Sequence, residues 1–198
     1  RNCIYNVLIE DYPAEAVTLP TAIPNLSIIP STIQLAGAEI ELVPLISREQ
    51  RLKKALTEVK TQYDFLLVDC PPSLEMLTLN ALCAADTVLI PVQCEYFALE
   101  GLSDLMTTLR MVKKSLNPDI AVEGVVLTMF DGRTNLSMQV AEEVKKYFVG
   151  KVYASVIPRN VRFSEAPSYG KPVIAYDRAC KGSEAYIRLA EELIEKNK

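Results

Sequence analysis

Phe65-Leu66-Leu67-Val68 is a run of four apolar residues that stops at the carboxylate of Asp69, and Cys70-Pro71-Pro72-Ser73 follows it. The run reads as a strand over 64–69, buried on both faces, with an acid at its C-terminal tip. Neither proline has a backbone donor, so the chain is expected to leave the sheet just past Asp69. In open α/β sheets that carboxyl edge is where ligands bind. A carboxylate held there suits an Mg²⁺–phosphate site, because Mg²⁺ takes few carboxylates and completes its shell with water and phosphate oxygens. A solvated strand end would give the same run on its own. The Pro-Pro-Ser continuation narrows the reading towards a ligand site.

Other chemistry is removed by what the sequence lacks. There is no histidine among the 198 residues, which excludes Ser-His-Asp and Cys-His nucleophiles and His-containing zinc sites. The five cysteines (3, 70, 83, 94 and 180) never fall in C-x-x-C spacing, and they read as reduced and mostly buried thiols of a cytosolic protein. The seven glycines form no G-x-x-x-x-G-K-[ST] loop, the usual cradle for nucleotide phosphates. The chain opens at Arg1 in a segment, Cys3 to Leu8, that reads as helical. The expectation is therefore a nucleotide-site protein whose phosphate-loop end lies upstream.

Apolar residues make up 49% and charged residues 23%, a globular composition that argues against disorder. No apolar run approaches the length of a membrane-spanning helix, and no signal peptide is read at the start. A net charge of −4 argues against a globally basic nucleic-acid binder. The distribution is uneven. Between 151 and 182, Lys151, Arg159, Arg162, Lys171, Arg178 and Lys181 face only Glu165 and Asp177, a local charge of +4 against −8 elsewhere.

The elements that must position these residues alternate in type. Leu26 to Pro30 reads as a short strand. Ser47-Arg48-Glu49-Gln50 has capping-box spacing and opens a helix to about Lys60. The strand at 64–69 is followed by a helix around 74–84, a buried strand at 87–91 and a helix from Phe97 to Leu116. A third buried strand runs from Val122 to Met129, and a helix from Asn135 to Phe148. A fourth core strand is expected from Tyr153 to Ile157, and a terminal helix from Gly182 to Lys196. Buried strands alternating with helices predict an α/β fold, a mostly parallel sheet with helices on both faces.

Taken together, these segments resemble ParA-type partition ATPases of the Soj branch. The resemblance rests on Thr32-Ile33-Gln34-Leu35-Ala36-Gly37-Ala38-Glu39, Val68-Asp69-Cys70-Pro71-Pro72-Ser73, Pro91-Val92-Gln93-Cys94-Glu95-Tyr96 with Ala98-Leu99-Glu100-Gly101, and Ile157-Pro158-Arg159-Asn160-Val161-Arg162 with Ser164-Glu165-Ala166-Pro167. It spans essentially all 198 residues. The family's first strand, its deviant Walker A loop and its switch I acid are expected upstream of Arg1. The resemblance implies a P-loop NTPase-like fold in which residues 1–198 form a single nucleotide-binding domain lacking that N-terminal part. It implies a cytoplasmic, nucleoid-associated ATPase that dimerises around ATP and Mg²⁺, binds double-stranded DNA non-specifically, and is stimulated by a ParB-type partner. Asp69 matches the Walker B acid that reaches Mg²⁺ through a water. Pro71, Pro72 and Ser73 match switch II, which senses the γ-phosphate. Thr128 and Met129, with Pro158, Arg159 and Asn160, match segments that enclose the adenine. Arg133 and Arg162 match basic positions linked with DNA binding, which agrees with phosphate neutralisation by arginine.

Rival readings remain at this level. MinD-like membrane ATPases share the Asp-Pro-Pro type of turn, but they end in a basic amphipathic helix. Here the tail Glu191-Glu192-Leu193-Ile194-Glu195-Lys196-Asn197-Lys198 is acidic, so no membrane partner is expected. Iron-protein relatives bridge a dimer through paired cysteines, whereas Cys70 and Cys94 show no ligand spacing and read as buried thiols. A third reading is a non-catalytic truncated fragment or scaffold. Without a Walker A loop, the chain assayed alone is expected to be inactive.

Overall fold

The computed structural model describes residues 2–71, 73–96 and 98–198. The chain divides into two compact units, Arg1–Asp86 with Thr107–Ile120, and Thr87–Met106 with Ala121–Lys198.

The first unit is largely helical. It contains α1 (Ile4–Ile9), α2 (Ala14–Val17), a minimal antiparallel pair β1 (Leu19–Pro20) and β2 (Ser27–Ile28), α3 (Leu35–Glu41), α4 (Arg51–Ala55) and α5 (Met76–Ala84). Its core is built by Leu8, Ala38, Leu42, Leu52 and Ala81, and beside them by Val7, Ala14, Val17 and Val59. The helix expected over 47–60 is broken into a 3₁₀ turn at Arg48–Gln50, α4, and a second 3₁₀ turn at Val59–Gln62. Ser47 does not cap: it sits in the left-handed region at φ 53° and makes no side-chain capping bond. A tertiary contact takes over that role. The buried Asn80 accepts from the Leu52 amide at 3.1 Å and donates to the Arg48 carbonyl at 2.8 Å, fixing this turn from α5.

The strand expected over 64–69 does not form. Residues 64–71 make no backbone–backbone hydrogen bond among the described residues, and Leu67 is 83% exposed. Leu66 alone of the apolar run packs inward, against the Val7–Val59 cluster. A strand's hydrogen bonds come from a neighbour, so an apolar run with no paired neighbour stays extended and irregular. For the same reason Cys70 is exposed rather than buried, whereas Cys3, Cys83 and Cys94 are buried as expected.

The second unit holds the sheet. β3 (Thr87–Gln93) pairs in parallel with β4 (Ala121–Thr128), from Thr87 opposite Ala121 to Gln93 opposite Thr128. α6 (Ala98–Ser115) connects them, and its residues fall in both units. α7 (Asn135–Tyr147), α8 (Arg162–Glu165), α9 (Val173–Tyr176) and α10 (Lys181–Lys196) follow. The fourth strand, expected from Tyr153 to Ile157, is only partly realised. The Tyr153 and Ile157 amides donate to Val125 and Leu127 of β4 at 2.9 Å, but between them the Ala154 and Ser155 amides turn to the carboxylate of Glu192 on α10. Two amides bonded to a helix side chain cannot form a regular ladder. Single bridges therefore remain, Val125 with Val152 and Phe130 with Pro158. Gly124 permits the close approach of this segment, since a Cβ there would lie 2.3 Å from the Tyr153 ring. The parallel α/β, P-loop NTPase-like class read from the sequence holds, with helices on both sides of the sheet.

Candidate functional site

Three chain segments finish at one edge of the sheet in the second unit. β3 ends at Gln93, and the next amide, Cys94, donates to the Thr128 carbonyl at 3.1 Å. β4 ends at Thr128, after which Met129 takes the left-handed conformation at φ 53° and turns the chain off the sheet. The Phe130 amide then donates to the Ile157 carbonyl, and the Arg159 amide to the Phe130 carbonyl, both at 3.2 Å. Thr128 and Met129 are thereby brought together with Pro158, Arg159 and Asn160, the residues that the resemblance names. Because the segments are parallel, the edge they share is the carboxyl edge, where open α/β folds bind ligands.

Side chains reinforce the ledge. The Arg159 guanidinium meets Glu95, just past β3, at 3.0 Å and so ties the first segment to the third. The Asn160 side-chain oxygen accepts from the Arg162 amide at 2.9 Å, which opens α8. α10 presses on this corner at Gly182, where a Cβ would meet the Phe163 ring at 2.5 Å and the Asn160 amide at 3.3 Å.

Asp131 organises the loop beyond Met129. Its carbonyl accepts from the Thr134 amide, Thr134 caps α7, and its carboxylate takes both the backbone and the side chain of Arg133. That hydrogen-bonded guanidinium holds the Asp131 carboxyl well below the usual carboxylate range. Arg133 is 88% exposed, but its guanidinium is already chelated at 2.7 and 2.9 Å. Arg162, half-exposed, reaches Glu165 at 2.6 Å and Asp177 at 3.1 Å, and the bond to Arg162 holds the Glu165 carboxyl below its ordinary value. Both arginines singled out by sequence thus arrive with carboxylate partners. Lys151, Lys171, Arg178 and Lys181 are exposed and form no ion pair among the described residues. The acids Glu95, Asp131, Glu165 and Asp177 were not assigned to the site from sequence. The i,i+3 spacing of Arg162 and Glu165 was the available signal, whereas the Asp131–Arg133 contact depends on the loop conformation beyond Met129. Nothing local pointed to Asp177 or Glu95.

The remaining candidates lie in the first unit. Asp69 is exposed at the end of the irregular segment and forms no ion pair among the described residues. Pro71 is exposed too, and Pro72 lies outside the described residues. Ser73 is anchored: its carbonyl accepts from the Thr78 hydroxyl at 2.6 Å. A lone, unpartnered carboxylate fits hydrated Mg²⁺, a hard cation satisfied by oxygen donors and water. The 198 residues supply no glycine-rich phosphate loop beside it.

A family model described as AAA domain matches residues 1–122. The chain is similar to the sporulation initiation inhibitor protein Soj of Bacillus subtilis (strain 168), with 61% identity over 193 residues, covering 98% of this chain and 76% of that protein. It is also similar to the chromosome partitioning protein ParA of Myxococcus xanthus (strain DK1622), 52% identical over 194 residues and covering 98% and 69%. Among solved structures it matches cobyrinic acid a,c-diamide synthase from Mycobacterium smegmatis with a TM-score of 0.83 at 34% identity, covering all of this chain and 73% of that one. The same protein has been solved with an ATP analogue and magnesium, matching at TM-score 0.74 and 36% identity over 80% of this chain and 65% of that one. Agreement at this level over 98% of the chain means that the chain belongs to the Soj/ParA family of chromosome-partitioning ATPases.

Proposed function

We propose that residues 1–198 act as one nucleotide-binding domain of a cytoplasmic, nucleoid-associated partition ATPase. It binds ATP with Mg²⁺, dimerises around the nucleotide, and holds double-stranded DNA without reading its sequence. A ParB-type partner stimulates hydrolysis and release. The observation that carries this reading is the 61% identity to Soj across 98% of the chain.

In this reading the backbone ledge of Thr128, Met129, Pro158, Arg159 and Asn160 encloses the adenine. Fixed amides and carbonyls there cost no reorganisation when the base arrives. Asp69 anchors Mg²⁺ through a water, and Pro71, Pro72 and Ser73 respond to the γ-phosphate. Bound Mg²⁺ supplies charge neutralisation across the phosphates. Arg162 and Arg133 contact DNA by exchanging a carboxylate partner for a phosphate. Exposed ion pairs contribute little in water, so the exchange is inexpensive. Exposed Lys151, Lys171, Arg178 and Lys181 add charge without selectivity.

The test uses the full-length product of the gene. Mg²⁺-dependent ATP turnover is measured together with ATP-dependent retention of two duplexes of unrelated sequence. Turnover with equal retention of both duplexes is the expected result. No turnover, or retention of only one duplex, overturns the reading.

A further inference from the structure

α3 reaches α5 through a polar contact of Glu39. Both carboxylate oxygens of Glu39 accept from the Leu77 amide, at 3.2 and 3.4 Å. Leu77 is the second residue of α5, whose N-cap, Glu75, makes no side-chain capping bond. An amide that would otherwise be left over at the start of a helix is therefore met from a different helix. The donor end of α5 also carries partial positive charge, which a carboxylate complements. One residue further along, the Thr78 hydroxyl donates to the Ser73 carbonyl at 2.6 Å.

These two contacts form a relay from α3 to the first turn of α5 and on to Ser73, the end of the Asp69–Ser73 segment. Its base is firm, since Ala38 and Leu42, on either side of Glu39, are fully buried in the core with Leu8, Leu52 and Ala81. Upstream the support is apolar alone: Leu66 packs against the Val7–Val59 cluster, and residues 64–71 have no backbone–backbone hydrogen bond among the described residues. The Thr78 tether and the Glu39 cap behind it are therefore what hold the segment from its C-terminal side.

We propose that Glu39 is a positioning residue for phosphoryl transfer, fixing the α5 N-terminus so that Thr78 can hold Ser73, and with it the Asp69 segment, in register with the nucleotide. The inference rests on the partition-ATPase reading and deepens it. Catalysis by positioning is sensitive to small displacements of the reacting groups, whereas nucleotide affinity depends on contacts elsewhere. Loss of the relay is therefore felt in kcat rather than in KM.

The experiment measures steady-state ATP turnover and thermal melting of the full-length gene product. Glu39→Ala is expected to lower kcat by about fivefold to tenfold while KM for ATP stays within about twofold. Glu39→Gln keeps an oxygen able to accept the Leu77 amide and should recover most of the rate. Thr78→Val removes the second tether and should give the same split. Leu42→Ala is the structural control, with a lowered melting temperature but a normal kcat well below it. Unchanged kcat in both Glu39→Ala and Thr78→Val overturns the inference, as does a loss that follows melting temperature as in Leu42→Ala. Should Glu39→Ala fail to fold, Glu39→Gln and Thr78→Val carry the test. If the unmodified protein has no turnover, the ATPase reading falls and this inference with it. Normal turnover with silent variants removes the inference alone.

Discussion

Phe65–Val68 and Gly124–Leu127 are both short apolar runs that end beside residues assigned to the nucleotide, and the structure treats them in opposite ways. Gly124 to Leu127 is buried, bonded on one side to β3 and on the other to the Tyr153–Ile157 segment. Phe65 to Val68 makes no backbone–backbone hydrogen bond among the described residues, and Leu67 projects into solvent. A run's hydrophobicity states that it can be buried. Whether it becomes a strand depends on a neighbour with free donors and acceptors at the right spacing. In the paired region the ledge is shaped by backbone hydrogen bonds. In the unpaired region order comes from side-chain tethers such as Thr78 to Ser73.

The widest separation between the two regions should come from Asp69→Ala in the full-length gene product. Mg²⁺-dependent turnover is expected to fall by about 100-fold or more. The melting temperature should barely change, because the carboxylate is exposed and forms no ion pair among the described residues. Wild-type turnover would remove Asp69 from the site.

Packing gives the next contrast. Gly124→Ala forces a methyl to within 2.3 Å of the Tyr153 ring, so it should destabilise by about 1–3 kcal/mol, visible as a lower melting temperature. Leu67→Ser, in the exposed run, should stay within about 0.5 kcal/mol of the parent. Equal losses at the two positions would mean that both runs are buried alike, against the comparison drawn above.

Smaller effects are expected at the arginines. Arg162→Ala should weaken DNA binding equally on unrelated duplexes and reduce the salt slope by about 1, with Arg133→Ala weaker in the same sense. Glu165→Gln sharpens the point by releasing one of the two carboxylates on Arg162, and retention of DNA should improve by about twofold to fivefold. A salt titration of each variant decides. Tighter binding by Arg162→Ala would mean that its pairing with Glu165 and Asp177 is its whole function.

The smallest effect concerns acid stability. Arg162 holds the Glu165 carboxyl below its ordinary value of 4.5, so the folded state favours the charged form. That contribution is present above the ordinary value and is lost as pH falls through the lowered one. Melting curves from neutral pH down to about pH 3 should therefore fall less steeply for Glu165→Gln than for the parent. Parallel curves would show that the pair is too exposed to register.

Much of the architecture was legible in local patterns. β3, β4, α5, α6, α7 and α10 lie close to where periodicity placed them, because each has an apolar stripe or run that one neighbour suffices to bury. The residues of the ledge were named only through the family resemblance; the structure adds that Thr128 and Met129 lie beside Pro158 to Asn160 at the parallel edge. What failed was local reasoning at places settled by distant groups. The cap expected of Ser47 was displaced by Asn80, and the strand expected at 153–157 was interrupted by Glu192.

By itself, then, the sequence determined the types of the elements with their own apolar stripe or paired run, the family, and which residue types are available for chemistry. A carboxylate after an apolar run and arginines in a basic stretch are properties of composition and order. Only the tertiary structure decided which of those groups are already engaged. Arg133 and Arg162 carry carboxylates, Glu39 caps a helix other than its own, and the run before Asp69 stays unpaired. The physical reason is that hydrogen bonds and ion pairs are satisfied by whatever lies within about 3 Å in space, a distance that separation along the chain does not record.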